Sequence, residues 1–212
     1  MNHESDLHAD ALLQRARSWA GYSVSDVAVA PTPGHKGAVG QRLEQALGLK
    51  PRFDDVDDPL SGIELKTLPV ALKGSGRARV LESTFVTTAS ASSLVKETWA
   101  NSRVRKKVSR VLFVPVERQT LRIGSAFLYE PDAEDEKVLR ADWEDLADLV
   151  AAGLGFAITA HRGRVLQLRP KGVNATTTTR ATVSDGEEIT LRPQGFYLRS
   201  RFTQHLIDVR FA

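Results

Sequence analysis

Two residues of opposite charge stand two positions apart in an apolar stretch, and a carboxylate precedes the first of them by seven positions. The pair is Glu64 and Lys66, and the upstream residue is Asp57. Side chains alternate between the faces of a strand, so Glu64 and Lys66 are predicted to point the same way. Two carboxylates with open positions suit Mg²⁺, and an adjacent ammonium can orient water or stabilise charge on a phosphate.

This spacing indicates metal-assisted phosphodiester hydrolysis. It is also compatible with a solvated sheet face that carries a weak ion pair, because acidic loops followed by such strands are common. From the spacing alone, both interpretations stay open.

The predicted elements would place these residues at the start of a strand over 63–70. A second strand over 80–89 follows a turn, and the two are predicted to form a hairpin. The apolar run inside 110–116 is typical of a central strand buried on both faces. Helices are predicted over 5–20 (capped by Ser5, stopped by Gly21), 35–47, 97–107 and 135–152, short strands over 156–160, 165–169 and 196–199, and a loop over 180–188. This order predicts a mixed α/β fold.

The composition excludes several classes of protein. The 212 residues include no cysteine, so disulfides, thiolate metal sites and cysteine nucleophiles are excluded. No stretch is apolar enough to span a membrane and the polar start is not a signal peptide, so a cytoplasmic protein is expected. Basic residues concentrate over 103–122 and 162–210, on either side of an acidic segment over 130–148. This distribution suggests one side that faces a polyanion.

Six stretches, in order from about residue 5 to residue 207, resemble the MutH family of DNA mismatch-repair endonucleases: His35–Glu44, Gly62–Val70, Glu82–Val86, Val111–Val116, Gln167–Lys171 and Gly195–Leu198. The resemblance implies the restriction-endonuclease-like fold, a mixed β-sheet flanked by helices with the metal site at one end of the central hairpin. It implies a single domain over residues 1–212, with two subdomain-like arms around a DNA cleft.

The resemblance also implies a function. MutH proteins nick the unmethylated strand of hemimethylated GATC sites in double-stranded DNA with Mg²⁺, and they are activated by MutL, which MutS loads. A single copy of the domain favours a monomeric nickase. Two alternatives remain, a stand-alone GATC restriction endonuclease and a DNA-binding adaptor with a decayed active site. The complete set of Asp57, Glu64 and Lys66 argues against the adaptor.

Residue by residue, the resemblance assigns the metal ligands to Asp57 and Glu64, with Glu44 as a third carboxylate on a helix. The family usually has an aromatic residue after the first ligand, and here Asp58 stands in that position. Asp58 is therefore an alternative ligand, although the spacing to Glu64 favours Asp57. Glu44 could instead be a surface glutamate of its helix.

The resemblance assigns catalysis to Lys66 and phosphate contacts to Lys36 and Lys107. Each phosphate contact would make DNA binding more dependent on salt. Lys106 is an equally placed neighbour of Lys107, and any single lysine is also compatible with a solvated side chain.

Four further residues match family positions that contact DNA. Arg169 matches an arginine that contacts a base, and arginine bound to guanine O6 and N7 discriminates by roughly 1–3 kcal/mol. Lys171 stands beside it and would add base or phosphate contacts. Tyr197 matches the residue near the adenine that carries the methyl group, and Phe85 matches an aromatic at the DNA interface. Arg169 could instead hold a phosphate, and Phe85 could belong to the core.

Overall fold

The computed structural model describes residues 3–28, 37–50, 56–72, 74, 76–154, 158, 162–171, 179–182 and 188–211. The chain forms two compact units, hereafter unit 1 and unit 2. Unit 1 comprises Met1–Thr84, Lys107–Glu130 and Ser200–Ala212. Unit 2 comprises Phe85–Lys106 and Pro131–Arg199.

The described residues form helices and strands in mixed order. The α-helices are α1 (His3–Arg17), α2 (Val24–Val27), α3 (Ala38–Leu47), α4 (Ala91–Leu94), α5 (Arg103–Val108), α6 (Ala133–Ala151) and α7 (Ser200–Arg210), and a 3₁₀ helix spans Trp99–Asn101. The strands are β1 (Glu64–Leu72), β2 (Ala78–Val80), β3 (Thr84–Ala89), β4 (Val111–Glu117), β5 (Phe127–Tyr129), β6 (Leu166–Pro170), β7 (Thr179–Thr182), β8 (Glu188–Leu191) and β9 (Gln194–Leu198). Within the described ranges, no helix combines the length and the apolar character that crossing a membrane requires.

A four-stranded sheet in the order β2-β1-β4-β5 forms the centre of unit 1. β1 and β4 run parallel, whereas β2 and β5 are antiparallel to their neighbours. Every residue of β4 is buried, as its uninterrupted apolar sequence predicts for a central strand. The sheet is therefore mixed, and its parallel pair brings the starts of β1 and β4 to the same edge.

Apolar side chains cover both faces of this sheet. On one face, α1 and α3 pack on alternate residues of β1 and β4 and bury an aliphatic cluster that includes Leu13, Leu43, Ile63, Leu65 and Leu112. On the other face, α7 contacts β5, where the ring centroids of Tyr129 and Phe202 lie 5.6 Å apart. A mixed sheet flanked by helices confirms the predicted α/β class and is consistent with a restriction-endonuclease-like fold.

Two helices of unit 1 form close to their predicted bounds. α1 begins at His3, so the predicted cap Ser5 lies inside the first turn instead. The chain turns away at Gly21, whose φ is +90°. α3 ends at Leu47, and Gly48 follows with φ +80°, a conformation that costs glycine little because it has no Cβ. The predicted start of α3 at 35 lies outside the described residues.

The predicted hairpin is wrong beyond Val80. β2 is the part that pairs with β1, with Val70 opposite Val80 and Leu72 opposite Ala78. The chain then leaves this sheet, and β3 pairs with β9 in a second sheet. No glycine or proline marks the break over 81–83, so the sequence reads as one continuous strand.

Unit 2 contains a three-stranded sheet in the order β3-β9-β6, with α6 as its longest helix. Asp132 caps α6 by accepting hydrogen bonds from the backbone N–H groups of Glu134 and Asp135, so this helix starts two residues before its predicted start. The helix predicted over 97–107 is divided into the 3₁₀ helix and α5. The loop predicted over 180–188 is wrong at both ends, because β7 and β8 pair there with Thr182 opposite Glu188. Apart from Ile158, the strand predicted over 156–160 lies outside the described residues.

Candidate functional site

The start of β1 brings a carboxylate against two ammonium groups. Lys66 Nζ lies 2.5 Å from Glu64 Oε1, and Lys107 Nζ lies 3.0 Å from both Oε1 and Oε2 of Glu64. Lys107 belongs to the last turn of α5, just before β4, and Val111 at the start of β4 is the register partner of Glu64. The parallel pairing of β1 and β4 therefore delivers Lys107 to the same edge of the sheet as Glu64.

Burial strengthens this contact. Glu64 is 2% exposed and Lys107 is 6% exposed, so water screens their attraction weakly. The neighbouring Lys106 is exposed. Of the two adjacent lysines, the structure brings Lys107 to Glu64.

Asp57 lies buried beside the same cluster. Its Oδ2 accepts a hydrogen bond of 2.9 Å from the backbone N–H of Leu65, which fixes the carboxylate against β1. Burial raises the pKa of the Asp57 carboxyl and the Glu64 carboxylate adds to the rise, while Lys66, the Leu65 N–H and Lys107 oppose it. The two carboxylates are thus close enough to repel one another, as expected of groups that share a cation.

Asp58 faces a different set of groups. Its Oδ2 accepts hydrogen bonds from the backbone N–H and the hydroxyl of Ser61, and it lies 3.2 Å from Nε2 of His8. Its own N–H donates to the carbonyl of Ile63. Asp58 therefore closes the turn that leads into β1, whereas Asp57 belongs to the carboxylate cluster.

Glu44 brings a third carboxylate from α3. Burial raises the pKa of Glu44 from 4.5 to about 7, and the carboxylates of Asp57 and Glu64 add to the rise while Lys66 and Lys107 oppose it. Its Oε2 is buried and has no hydrogen-bond partner among the described residues. A buried carboxylate oxygen without a donor is costly, so this oxygen is suited to bind a cation or a proton.

Arg110 ties the turn before β1 to its surroundings, and sequence reasoning missed it. Nη1 donates to the carbonyl of Ser61, Nη2 to Asp6 and Nε to Glu130, at 2.9, 2.8 and 2.6 Å. The carbonyl of Arg110 accepts the N–H of Glu64 at 3.0 Å. Its partners come from distant parts of the chain, so no local motif could have identified this arginine.

The carboxylate–lysine cluster consists of Glu44, Asp57, Glu64, Lys66 and Lys107, all in unit 1. Within the described ranges, no three His, Asp or Glu side chains stand in an arrangement ready to hold a metal ion. Two ammonium groups already compensate Glu64. Lys36, the remaining predicted phosphate contact of this unit, lies outside the described residues.

The four predicted DNA-contacting residues of unit 2 come together in one row. The guanidinium carbon of Arg169 lies 5.9 Å from the ring centroid of Tyr197. The rings of Tyr197 and Phe85 pack edge to face, with centroids 5.3 Å apart and planes at 66°. Lys171 Nζ lies 4.1 Å from the centroid of Phe85. We call Arg169, Tyr197, Phe85 and Lys171 the cation–aromatic row.

Strand alternation explains which side chains join this row. Phe196 and Leu198 are buried at 0% and 1% exposure, while Tyr197 between them is half-buried on the opposite face. Burial raises the pKa of the Tyr197 phenol, and Arg169 opposes the rise. Burial also lowers the pKa of Lys171. Lys171 thus stands partly desolvated over the ring of Phe85, where the attraction of cation and ring is enhanced.

Asp142 on α6 anchors the strand that carries Arg169. Its carboxylate is 7% exposed and accepts hydrogen bonds from the backbone N–H groups of Arg164, Val165 and Leu166, at 2.6 to 2.9 Å. A signal was present in the sequence, because Asp142 interrupts the apolar stripe of α6 at helical spacing. A buried carboxylate at such a position must find donors, and here they are the amides that lead into β6.

The basic block over 103–122 is largely compensated by acids within each unit. Arg103 pairs with Glu97 and Arg105 with Glu136 in unit 2. In unit 1, Arg118 pairs with Glu82, and Arg110 is held by two acids. By contrast, no carboxylate of the described residues lies within ion-pair distance of Arg169 or Lys171. The positive charge expected to face a polyanion is therefore carried by particular side chains, such as Arg169 and Lys171, and not by the whole basic block over 103–122.

Comparison with known proteins identifies the family. Residues 50–142 match the family model described as DNA mismatch repair enzyme MutH. The chain is 41% identical over 215 residues to the DNA mismatch repair protein MutH of Pectobacterium atrosepticum, covering 95% of this chain and 91% of the relative. The proteins of the same name from Serratia proteamaculans and Klebsiella pneumoniae are 42% and 40% identical, covering 94% and 95% of this chain and 92% of each relative. With the matched segment holding Asp57, Glu64, Lys66 and Lys107, and with relatives aligned over almost its whole length, this chain belongs to the MutH family of DNA mismatch repair enzymes.

Proposed function

We propose that this protein is a Mg²⁺-dependent endonuclease of methyl-directed mismatch repair. It nicks the unmethylated strand of double-stranded DNA at hemimethylated GATC sites and is activated by MutL, which MutS loads. The observation that carries the proposal is the carboxylate–lysine cluster at the start of β1, in a chain of the MutH family. Carboxylates that can bind a metal ion, next to lysines that can stabilise charge on a phosphate, are groups that support phosphodiester hydrolysis.

The donor set fits Mg²⁺. Oxygen ligands from Asp57 and Glu64, with Glu44 as a third, are the hard donors that this ion prefers. The Oε2 of Glu44 is buried and unpartnered among the described residues, and burial together with the neighbouring carboxylates raises the pKa values of Glu44 and Asp57. A bound cation would stabilise both carboxylates. Mg²⁺ commonly uses one or two carboxylates and completes its shell with water and substrate phosphate, so a ready-made cage of three ligands is not required.

The two lysines supply the remaining chemistry. When bound, Mg²⁺ supplies Lewis acidity toward the scissile phosphate and lowers the pKa of water. Lys66 is held by Glu64 beside this position, where its ammonium orients the attacking water. Lys107 lies on the other side of the same carboxylate and neutralises charge that develops on the phosphate. A nick leaves 5′-phosphate and 3′-hydroxyl ends.

The cation–aromatic row of unit 2 reads the sequence. Arg169 donates to guanine O6 and N7, and Lys171 adds a contact to a base or a phosphate. Tyr197 contacts the adenine N6 edge. Because its ring packs against Phe85, it cannot move far enough to accommodate an added methyl group, and methylated adenine is rejected. A monomer with one carboxylate–lysine cluster cuts one strand per encounter, which favours nicking over a double-strand break.

The test is cleavage of a supercoiled plasmid that carries a single GATC site. The plasmid is prepared unmethylated, hemimethylated on either strand and fully methylated, and it is incubated with Mg²⁺ with and without MutL. Gel mobility separates nicked from linear products, and primer extension identifies the cut strand. Glu64→Ala is the inactive variant, expected to lose at least about 10²-fold in rate. Glu134→Ala, an exposed helical glutamate of unit 2, is the matched control.

Each outcome decides between functions. Nicking confined to the unmethylated strand, absent from fully methylated DNA and accelerated by MutL, supports the proposal. Efficient linearisation without MutL would indicate a restriction endonuclease. Specific GATC binding without cleavage, with Glu64→Ala indistinguishable from the parent protein, would indicate an adaptor.

A further inference from the structure

The middle strand of the unit 2 sheet, β9, carries a glycine at a position where other side chains occupy the space beside the backbone. Gly195 on β9 lies opposite Arg169 on β6, two residues before Tyr197. Because side chains alternate along β9, Gly195 and Tyr197 share a face, and Phe196 points into the core. Gly195 therefore lies directly beneath the aromatic rings of the cation–aromatic row.

The rings of the row occupy the space that a side chain at 195 would need. A Cβ built on Gly195 would lie 2.9 Å from Cε2 of Phe85, 3.2 Å from the carbonyl oxygen of Thr87 and 3.3 Å from Cε2 of Tyr197. Optimal separations of carbon atoms are about 3.5–4.0 Å, so all three neighbours would have to move. The contact with Phe85 is the tightest of the three.

The backbone does not explain the glycine. Gly195 is not among the glycines of positive φ, so its conformation is open to any residue. Glycine within a strand costs stability and often marks a close approach of other groups. Here, the groups that approach are the two rings of the row.

We propose that Gly195 is a specificity-determining positioning residue. By having no side chain, it lets Phe85 and Tyr197 close onto β9 and onto each other. The two rings in turn hold Lys171 and Arg169, which lack carboxylate partners among the described residues. Gly195 thus determines the positions from which the two cations and the phenol contact the bases. This inference rests on the proposed role of the row in reading DNA.

The test is Gly195→Ala, which adds one methyl group under the rings. A misplacement of about 1 Å can cost about 10²-fold in rate at a reacting centre. By the same sensitivity to geometry, a shift of a few tenths of an ångström in the row is expected to cost about 10-fold in discrimination. The measured quantity is the ratio of kcat/KM on GATC to kcat/KM on sites with one base substituted, together with the ratio for unmethylated and fully methylated GATC. The loss should lie in KM for GATC, with kcat at saturating DNA within about twofold because unit 1 is untouched.

A matched control separates positioning from simple destabilisation. Gly124 in unit 1 is also crowded, though less tightly than Gly195: a built Cβ would lie 3.1 Å from Cβ of Pro115, and this glycine also lacks a positive φ. Gly124→Ala is expected to lower the midpoint of urea unfolding and to leave both discrimination ratios unchanged. If Gly195→Ala lowers stability in the same way and leaves both ratios intact, its role is structural and the inference is overturned.

A second substitution tests the route through Phe85. Phe85→Leu removes the ring edge nearest to the added Cβ, and by itself it should also lower discrimination, since Tyr197 and Lys171 lose their partner. In that background, Gly195→Ala should lower discrimination by a smaller factor than in the parent protein, because the tightest of the three contacts is gone and residues in contact couple. Full discrimination in Phe85→Leu would overturn the inference even if Gly195→Ala fails to fold. A parent protein with no preference for GATC would overturn the proposed function and this inference together, whereas a preference that survives Gly195→Ala overturns the inference alone.

Discussion

The Lys107 ammonium lies 3.0 Å from each carboxylate oxygen of Glu64, in a position where both side chains are buried. Lys66 contacts the same carboxylate at 2.5 Å. In the metal-free protein, these lysines therefore supply the positive charge that Glu64 needs. In the proposed function, the same lysines would act on the scissile phosphate.

Lys107→Met is expected to lower both stability and activity. Methionine keeps most of the volume but leaves a buried carboxylate with one cation instead of two, at a cost of about 1–3 kcal/mol in the free energy of unfolding. Loss of one charged group at the phosphate is expected to slow nicking about 10²-fold. Urea unfolding in EDTA and plasmid nicking in Mg²⁺ measure the two effects.

Lys106→Met is the matched control, because Lys106 is the exposed neighbour on the same helix. Its free energy of unfolding should stay within about 0.5 kcal/mol of the parent protein. The double variant Glu64→Gln/Lys107→Met should lose less stability than the sum of the single variants, since the two substitutions remove one interaction. Additive losses would show that the contact contributes nothing to stability.

Asp57→Asn and Asp58→Asn distinguish the two candidate ligands. Asp57→Asn removes a charge from the carboxylate–lysine cluster and should reduce nicking at least about 10²-fold. It should also reduce the rise in Tm that saturating Mg²⁺ gives, because weaker binding stabilises less. Asp58→Asn keeps an oxygen for the N–H of Ser61 and weakens a partly exposed contact with His8, worth about 0–1 kcal/mol. Nicking by Asp58→Asn that falls as far as nicking by Asp57→Asn would reject the assignment.

The sequence predicts the parts of the site that depend on local rules. Strand alternation puts Glu64 and Lys66 on one face, and the uninterrupted apolar run predicts the central position of β4. Helix caps and apolar periodicity predict α3 and α6 to within a few residues. These features depend on neighbours in sequence, so a single chain is sufficient to infer them.

The remaining features depend on distant partners. Arg110 binds Asp6, which is 104 residues away in sequence, and no local pattern around either residue predicts the contact. β3 leaves the first sheet because its partner β9 lies elsewhere in the chain, although its own sequence continues the pattern of β2. The sequence shows Gly195 only as a glycine within a strand, and its close contact with the rings of Phe85 and Tyr197 is visible only in the structure. Such features require tertiary structure, because their physical cause is packing between segments far apart in sequence.

Glu44 gives the metal-free protein an unusual dependence on pH. Its pKa is about 7 in the folded protein and 4.5 ordinarily, so the folded state binds more protons between these values. Since the slope of the free energy of unfolding with pH follows protons bound in the unfolded state minus those bound in the folded state, stability should fall as pH rises from 4.5 to 7. The raised pKa of Asp57 acts in the same direction above its own ordinary value.

Glu44→Gln should flatten this dependence. Glutamine cannot lose a proton, so the decline between pH 5 and about 7 is expected to be smaller in urea unfolding with EDTA. Glu134→Gln, at an exposed helical position, should retain the slope of the parent protein. Addition of Mg²⁺ should restore stability at neutral pH in the parent protein, since a cation replaces the proton. If Glu44→Gln leaves the pH dependence of the free energy of unfolding unchanged, a group other than Glu44 causes that dependence.

Asp142 provides a prediction for the strand that carries Arg169. Asp142→Ala leaves the N–H group of Arg164 and the buried N–H groups of Val165 and Leu166 without their acceptor, at an expected cost of about 3–5 kcal/mol in the free energy of unfolding. Amide hydrogen exchange should speed up locally at these positions, because the loop into β6 is no longer held.

The functional consequence follows from the position of this loop. β6 begins at Leu166 and presents Arg169 to the cation–aromatic row, so a loosened start should weaken discrimination between GATC and substituted sites more than it slows nicking at saturating DNA. Asp148→Ala, an exposed aspartate on the same helix, is the matched control and should change neither exchange nor discrimination. Amides that stay protected over 164–166 in Asp142→Ala would show that β6 is held by its pairing with β9 instead, and Asp142 would then have no part in presenting Arg169.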